Sequence, residues 1–312
     1  MRILITGATG LVGSAISALC MEKGHEVFYL TTSKDKISGT PNYKGFYWNP
    51  SENEIDTSCF QGVDAIINLA GSSVSRRWTS SYKQVIRDSR VNSLDTLFTG
   101  LKRSGEKVAS LVSASAIGYY PSSLTNYYEE DTHETAASFL GEVVRDWEQA
   151  ADQFTALEMQ VAKVRIGLVL SMDGGALPEM VKPVRYYAGA AFGSGEQWQS
   201  WIHINDLASV FLHLLENEFS GIYNGVAPNP VTQNKLIQGI AGVLGKPLLL
   251  PNIPKWAVEA LLGEMSSVLL ESQRVSSKKI EASGYHFIYP NLLPALKDLI
   301  NEKGQLREEL AS

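Results

Sequence analysis

The hydrophobic pattern opens on an apolar run, Ile3-Leu4-Ile5, that feeds directly into three glycines, Gly7, Gly10 and Gly13. Leu11, Ile16, Leu19 and Cys20 then recur at helical spacing, and Gly24 reads as the stop. A second strand is predicted over His25-Glu26-Val27-Phe28-Tyr29-Leu30, and a buried parallel strand over residues 63–69. Between them, residues 45–57 carry only loop and edge-strand polarity. A long helix follows over residues 83–101, a strand over 108–115, a helix from Phe139 to beyond Glu148, and a strand with its extension over 161–170. Further along, an apolar helical run over 207–215 is capped by Asn205 or Asp206. A late strand over 221–226, a helix from Thr232 to Leu244 and a hydrophobic helical stretch over 251–270 complete the pattern.

Strands alternating with helices predict an α/β fold, a doubly wound parallel sheet of Rossmann type with a small, mainly helical C-terminal lobe. We assign residues 1–170 to a dinucleotide-binding domain, rejoined by the strand at 221–226. Residues 171–312 form the substrate-side lobe and the C-terminal helices.

The glycines carry the first chemistry. Gly7 permits a tight turn, Gly10 lets the backbone approach a pyrophosphate, and Gly13 lets helix pack closely on strand. With Thr9, Leu11 and Val12 they form a cradle in which free N–H groups and the positive end of a helix meet phosphate. At the end of the second strand an acid would bind the ribose 2′-hydroxyl of NAD. Here the strand runs into Thr31-Thr32-Ser33-Lys34, with no Asp or Glu before Asp35. Thr32, Ser33 and Lys34 suit a 2′-phosphate, which points to NADP rather than NAD; a solvated loop charge is the competing role for Lys34. Leu69, Ala70 and Gly71 end the third strand with small residues where a ribose passes.

Composition narrows the class. Hydrophobic content is 44%, charged content 19% and net charge −6, so neither nucleic acid nor an anionic membrane is an expected partner. Two cysteines without a paired motif suit a reducing, cytoplasmic setting and supply no metal site. A small-molecule substrate is expected, and a homodimer is the oligomer considered.

These motifs resemble the short-chain dehydrogenase/reductase superfamily, whose turn has the spacing T-G-x-x-G-x-x-G. Thr6 to Gly13, Asn68-Leu69-Ala70-Gly71, Arg77-Trp78 with Ser89-Arg90-Val91, the Ser113 to Tyr120 segment, Trp147-Glu148, Trp201-Ile202-His203-Ile204-Asn205-Asp206 and residues 279–299 match one subgroup. That subgroup is the atypical, extended, nucleoside-diphosphate-sugar epimerase-like one. The resemblance implies a bound NADP, held in part by Ser113 and Arg165, and a catalytic-type serine at Ser115. A strand-end serine bonded only to backbone is the alternative role for Ser115.

The superfamily's Tyr and Lys, one helical turn apart, should follow that serine, yet residues 131–161 contain neither. Tyr119, just beyond the strand, is the candidate proton donor, with Arg76, Arg77 or Arg145 as a replacement cation. Tyr120 is its neighbour. Arg76, Arg77, Trp78 and His203 are candidate substrate contacts, each with a structural alternative: surface arginines, a core Trp, a satisfied His. Two functions are consistent with these residues. One is an NADP-dependent oxidoreductase or epimerase-like enzyme; the other is a non-catalytic NADP-binding sensor or scaffold.

Overall fold

Ile3, Leu4 and Ile5 are fully buried, as are Ile66, Ile67, Leu111 and Val112. Strands apolar on both faces need cover on both faces, which is what a doubly wound sheet supplies. The computed structural model describes residues 1–309 and has two compact units. The first takes in Met1–Tyr119, Thr135–Arg165 and Ala208–Tyr223.

In chain order the elements that lie wholly or mostly in it are β1 (Arg2–Thr6), α1 (Leu11–Glu22), β2 (Glu26–Thr31), β3 (Gly39–Thr40), β4 (Tyr43–Asn49), β5 (Glu54–Ile55), β6 (Ala65–Asn68), α2 (Ser80–Ser104), β7 (Ser110–Ala116), α3 (Phe139–Asp152), β8 (Gln160–Ile166), α4 (Ile204–Glu216) and β9 (Gly221–Gly225). The sheet runs β9-β8-β7-β6-β1-β2-β4-β3, with β5 paired to β4. β1 lies parallel between β2 and β6, opposing Leu4 to Phe28 on one side and to Ile66 on the other. The strand order reverses around β1, the switch point at which α/β sheets bind ligands beyond their carboxyl ends. The fold is therefore the Rossmann-type doubly wound sheet that the pattern predicts.

Two boundaries differ from expectation. Of residues 45–57, read as loop and edge-strand polarity, the first five belong to a seven-residue strand over 43–49 paired parallel to β2, with Phe46 and Trp48 buried. The 161–170 stretch breaks after Ile166, where pairing changes partner: the Gly167 amide donates to the Gly225 carbonyl and the Leu168 amide to that of Ser200.

The second unit takes Tyr120–Glu134, Ile166–Leu207 and the chain from Asn224 onward. Short strand pairs tie it together: Leu168–Leu170 with Trp201–His203, Trp198–Gln199 with Val231–Thr232, and Arg274–Val275 with Tyr127–Tyr128. Helices Ala176–Arg185, Gln233–Leu244, Lys255–Leu262 and Leu292–Glu309 belong to it as well. The 251–270 stretch is interrupted where Gly263 adopts φ +60°. Asp206 is fully buried and accepts from the Tyr285 hydroxyl and from the amides of Ile288 and Tyr289. No helix among the described residues is long and apolar enough to cross a membrane.

Candidate functional site

The glycine turn is built as a cradle. Gly7 has φ +67°, and its carbonyl accepts from the Gly10 amide at 2.9 Å. A Cβ on Gly13 would lie 2.1 Å from that same carbonyl oxygen, so the first turn of α1 packs on the loop only without a side chain there. Gly10 begins α1 with no capping side chain, and the first turn holds no acid. The amide donors at this end are therefore left to a ligand, and anions suit it. This cradle fits a dinucleotide pyrophosphate.

Behind the turn a buried network ties three strand ends together. Thr6 Oγ1 donates to Asn68 Oδ1 at 2.8 Å and accepts from the amides of Leu69 and Ala70 at 3.0 and 3.1 Å. Asn68 Nδ2 in turn donates to Ser113 Oγ at 3.0 Å. Ser113 has no exposure; it braces the wall from behind.

In front lies a cavity of about 660 Å³ whose wall includes Gly7, Thr9, Thr32, Ser33, Ala70 and Gly71. The wall also includes Lys36, Asn49 and Asp88, which sequence reasoning did not single out. Lys34 is turned away onto the Tyr47 ring, its ammonium 4.8 Å from the centroid. Only the 3₁₀ turn at Lys34–Lys36 decides which of these lysines meets the cavity, and no pattern in the sequence announces it. The loop after Gly71 is held to α2: the Ser72 amide donates to Ser89 Oγ, and Arg90 Nη1 donates to the carbonyls of Ser72 and Ile86. Burial pushes the Arg90 guanidinium down to about 10.

Ser115 lies elsewhere in the same unit, 2% exposed, and donates to Glu148 Oε1 at 2.6 Å. It is bonded to a carboxylate, not only to backbone. Arg165 grips that carboxylate with two parallel bonds, Nε to Oε1 at 2.7 Å and Nη2 to Oε2 at 2.9 Å. Its guanidinium also lies over the Tyr119 ring, 3.5 Å from the centroid. The structure thus joins Ser115, Tyr119 and Arg165 through Glu148, a residue to which the sequence reading gave no role. Glu148 stands on α3 between Trp147 and Gln149, and a glutamate there carries no local signature of its buried partners.

The cation that meets Tyr119 is therefore Arg165, and the three arginines expected in that role have other surroundings. Arg145 is largely exposed beside Asp146. Arg76 is exposed, 6.0 Å from the Tyr82 ring, and Arg77 is exposed too. Trp78 donates from Nε1 to the Val74 carbonyl and meets Phe139 edge-on. Tyr120 belongs to the second unit, where it is buried, donates to Asn224 Oδ1 and stacks on Tyr128. His203, also in that unit, is 1% exposed and stacked on Tyr289. Its Nδ1 accepts from the Asn205 amide, so Nε2 carries the hydrogen and donates to Asp298 at 3.1 Å. Among the described residues no group of three or more His, Cys, Asp or Glu could hold a metal ion.

Comparison with known proteins fits this geometry. Residues 3–225 match the NAD dependent epimerase/dehydratase family, and residues 253–299 match a domain of unknown function (DUF1731). The chain is 40% identical over 302 residues to an epimerase family protein of Staphylococcus aureus strain MRSA252, covering 96% of this chain and 99% of that one. Among solved structures it is similar to human epimerase family protein SDR39U1, crystallised with NADPH, at 31% identity and a TM-score of 0.84, over 96% of this chain and 99% of that chain. It is also similar to a nucleoside-diphosphate sugar epimerase from Corynebacterium glutamicum, at 29% identity and a TM-score of 0.76, over 99% of this chain and 61% of that chain. The glycine cradle, the switch-point cavity and these likenesses lead to one assignment: the chain belongs to the NAD-dependent epimerase/dehydratase family, as an atypical extended short-chain dehydrogenase/reductase.

Proposed function

We propose that this protein is an NADP-dependent oxidoreductase or epimerase-like enzyme acting on a small molecule in the cytoplasm. The observation that carries the cofactor choice is the cavity wall after β2: Thr32, Ser33 and Lys36 stand where an NAD-binding protein needs an acid. The human relative crystallised with NADPH supports the same choice. Gly7, Gly10 and Gly13 would hold the pyrophosphate, with Thr9, Leu11 and Val12 around it. Leu69, Ala70 and Gly71 would line the ribose side.

When bound, the nicotinamide supplies or takes a hydride. The chain's own task is to handle the proton on the reacting oxygen. Ser115 gives its hydrogen to Glu148, so its oxygen is left as an acceptor for a substrate hydroxyl. Arg165 fixes the Glu148 carboxylate and lies over Tyr119, whose phenolic oxygen is the group proposed to move the proton. The substrate side is assigned to residues 171–312.

A second reading, a dinucleotide-binding sensor or scaffold without turnover, is favoured by two observations: Ser115 is 2% exposed, and residues 131–161 hold no Tyr or Lys. Exposing the NADPH-loaded protein to a metabolite library separates the two. Oxidation of NADPH with a defined product, lost in Ser115→Ala and Tyr119→Phe while nucleotide affinity persists, supports the enzyme. Tight NADPH binding without turnover on any member supports the sensor.

A further inference from the structure

Tyr29 sits near the end of β2, 1% exposed, in the middle of the sheet. A buried phenol needs a partner for its hydroxyl, and here the partners are in the loop that leaves the strand. Tyr29 Oη donates to the Lys36 carbonyl at 2.7 Å and accepts from the Ser38 amide at 2.9 Å. The ring stacks on Tyr43, with centroids 4.4 Å apart. Gly45 makes the reach possible, since a Cβ there would lie 2.5 Å from Tyr29 Cζ. The Gly45 amide also donates to the Ser38 carbonyl at 2.8 Å.

The loop therefore has two anchors. Its outgoing limb, Thr31, Thr32 and Ser33, runs along the cavity wall as a continuation of β2. Its returning limb is held by the Tyr29 hydroxyl, which bonds the backbone of Lys36 itself. The Lys36 side chain is exposed and lines the cavity, so backbone placement is what aims its ammonium.

We propose that Tyr29 is a positioning residue for cofactor selection: its hydroxyl closes the 36–38 limb and so holds Lys36 where a 2′-phosphate is read. This rests on the NADP reading above. A packing role alone would be served equally well by Phe, which keeps the ring, the stack on Tyr43 and the fit to Gly45.

The test is titration of wild type, Tyr29→Phe, Lys36→Ala and the double variant with NADPH and with NADH. Tyr29→Phe should weaken NADPH about three- to tenfold, the scale of one or two hydrogen bonds, and change NADH less than about twofold. The double variant should lose no more preference than Lys36→Ala alone, because both changes act through one ammonium. Ser38→Pro removes the amide donor from an exposed position that follows an extended Ile37, and should lower the same ratio; it decides the matter if Tyr29→Phe fails to fold. An NADPH preference intact in Tyr29→Phe, a parallel loss of both nucleotides, or additive losses in the double variant would overturn the inference alone. A wild type without preference for NADPH overturns the cofactor reading and this inference with it.

Discussion

The guanidinium of Arg165 lies over the ring of Tyr119, 3.5 Å from its centroid, while its Nε–Nη2 edge is given to Glu148. One cation from β8 thus orders a ring beyond β7 and a carboxylate on α3. Arg165 and Glu148 are both buried, so their charges depend on each other. Glu148→Ala would leave Arg165 without its carboxylate in a site closed to water, and should cost ~3–5 kcal/mol. Urea denaturation reads this directly. A loss under ~1 kcal/mol would mean that the pair is not what holds the three elements together.

The cradle makes a sharper steric prediction. A methyl at residue 13 would meet the Gly7 carbonyl oxygen at 2.1 Å and the Ala8 Cα at 2.7 Å, both backbone atoms that cannot swing aside. Gly13→Ala should destabilise the fold by ~1–3 kcal/mol, as overpacking does. It should also weaken NADPH and NADH alike, because the pyrophosphate is common to both. Thermal melting and nucleotide titration check it. Wild-type affinity in this variant would show that the cradle is not the phosphate site.

Lys34 and Lys36 offer a paired comparison within one turn. Lys36 lines the cavity and Lys34 lies on Tyr47. Removing the ammonium that meets a phosphate should weaken NADPH about tenfold, the scale of a charge-assisted bond. Lys36→Ala is expected to show that loss with NADH nearly unchanged, and Lys34→Ala to show less than about twofold. The opposite order would return the 2′-phosphate role to Lys34.

These cases mark what the sequence could and could not disclose. The glycine turn was legible because its physics is local: an apolar strand, three glycines and an amphipathic helix follow one another within the first twenty-two residues. β1, β2, β6 and β7 were legible for the same reason, as apolar runs of strand length. β4 was not, since Lys44, Gly45 and Asn49 break its apolar pattern and only pairing with β2 makes it a strand. Tyr29 read only as one position of the second strand, because its hydroxyl bonds depend on a loop that returns seven to nine residues later. Glu148 and Arg165 are seventeen residues apart on a helix and a strand, and nothing local distinguishes a buried charge from a surface one. Lys36 was missed because the direction of a side chain in a 3₁₀ turn is set by the turn.

Glu130 yields a prediction in pH. It is partly buried, and burial pushes its carboxyl above the ordinary range, opposed by the Asn224 amide it accepts from at 2.8 Å and by Lys279. Below the unfolded value, about 4.3 for Glu, the carboxyl is protonated folded or unfolded and adds no penalty. As pH rises past that value the unfolded chain releases its proton first, so the folded state holds more protons and stability falls. The fall ends once the folded carboxyl has ionised. Glu130→Gln keeps an amide oxygen for the Asn224 N–H but has no proton to lose. Its stability relative to wild type should therefore rise as pH climbs from about 4 and level off above the raised value. Glu271, also raised by burial, is present in both proteins and cancels in the difference. Chemical denaturation of the two proteins across this range measures the difference, and parallel curves would show that Glu130 ionises in the fold as freely as in the unfolded chain.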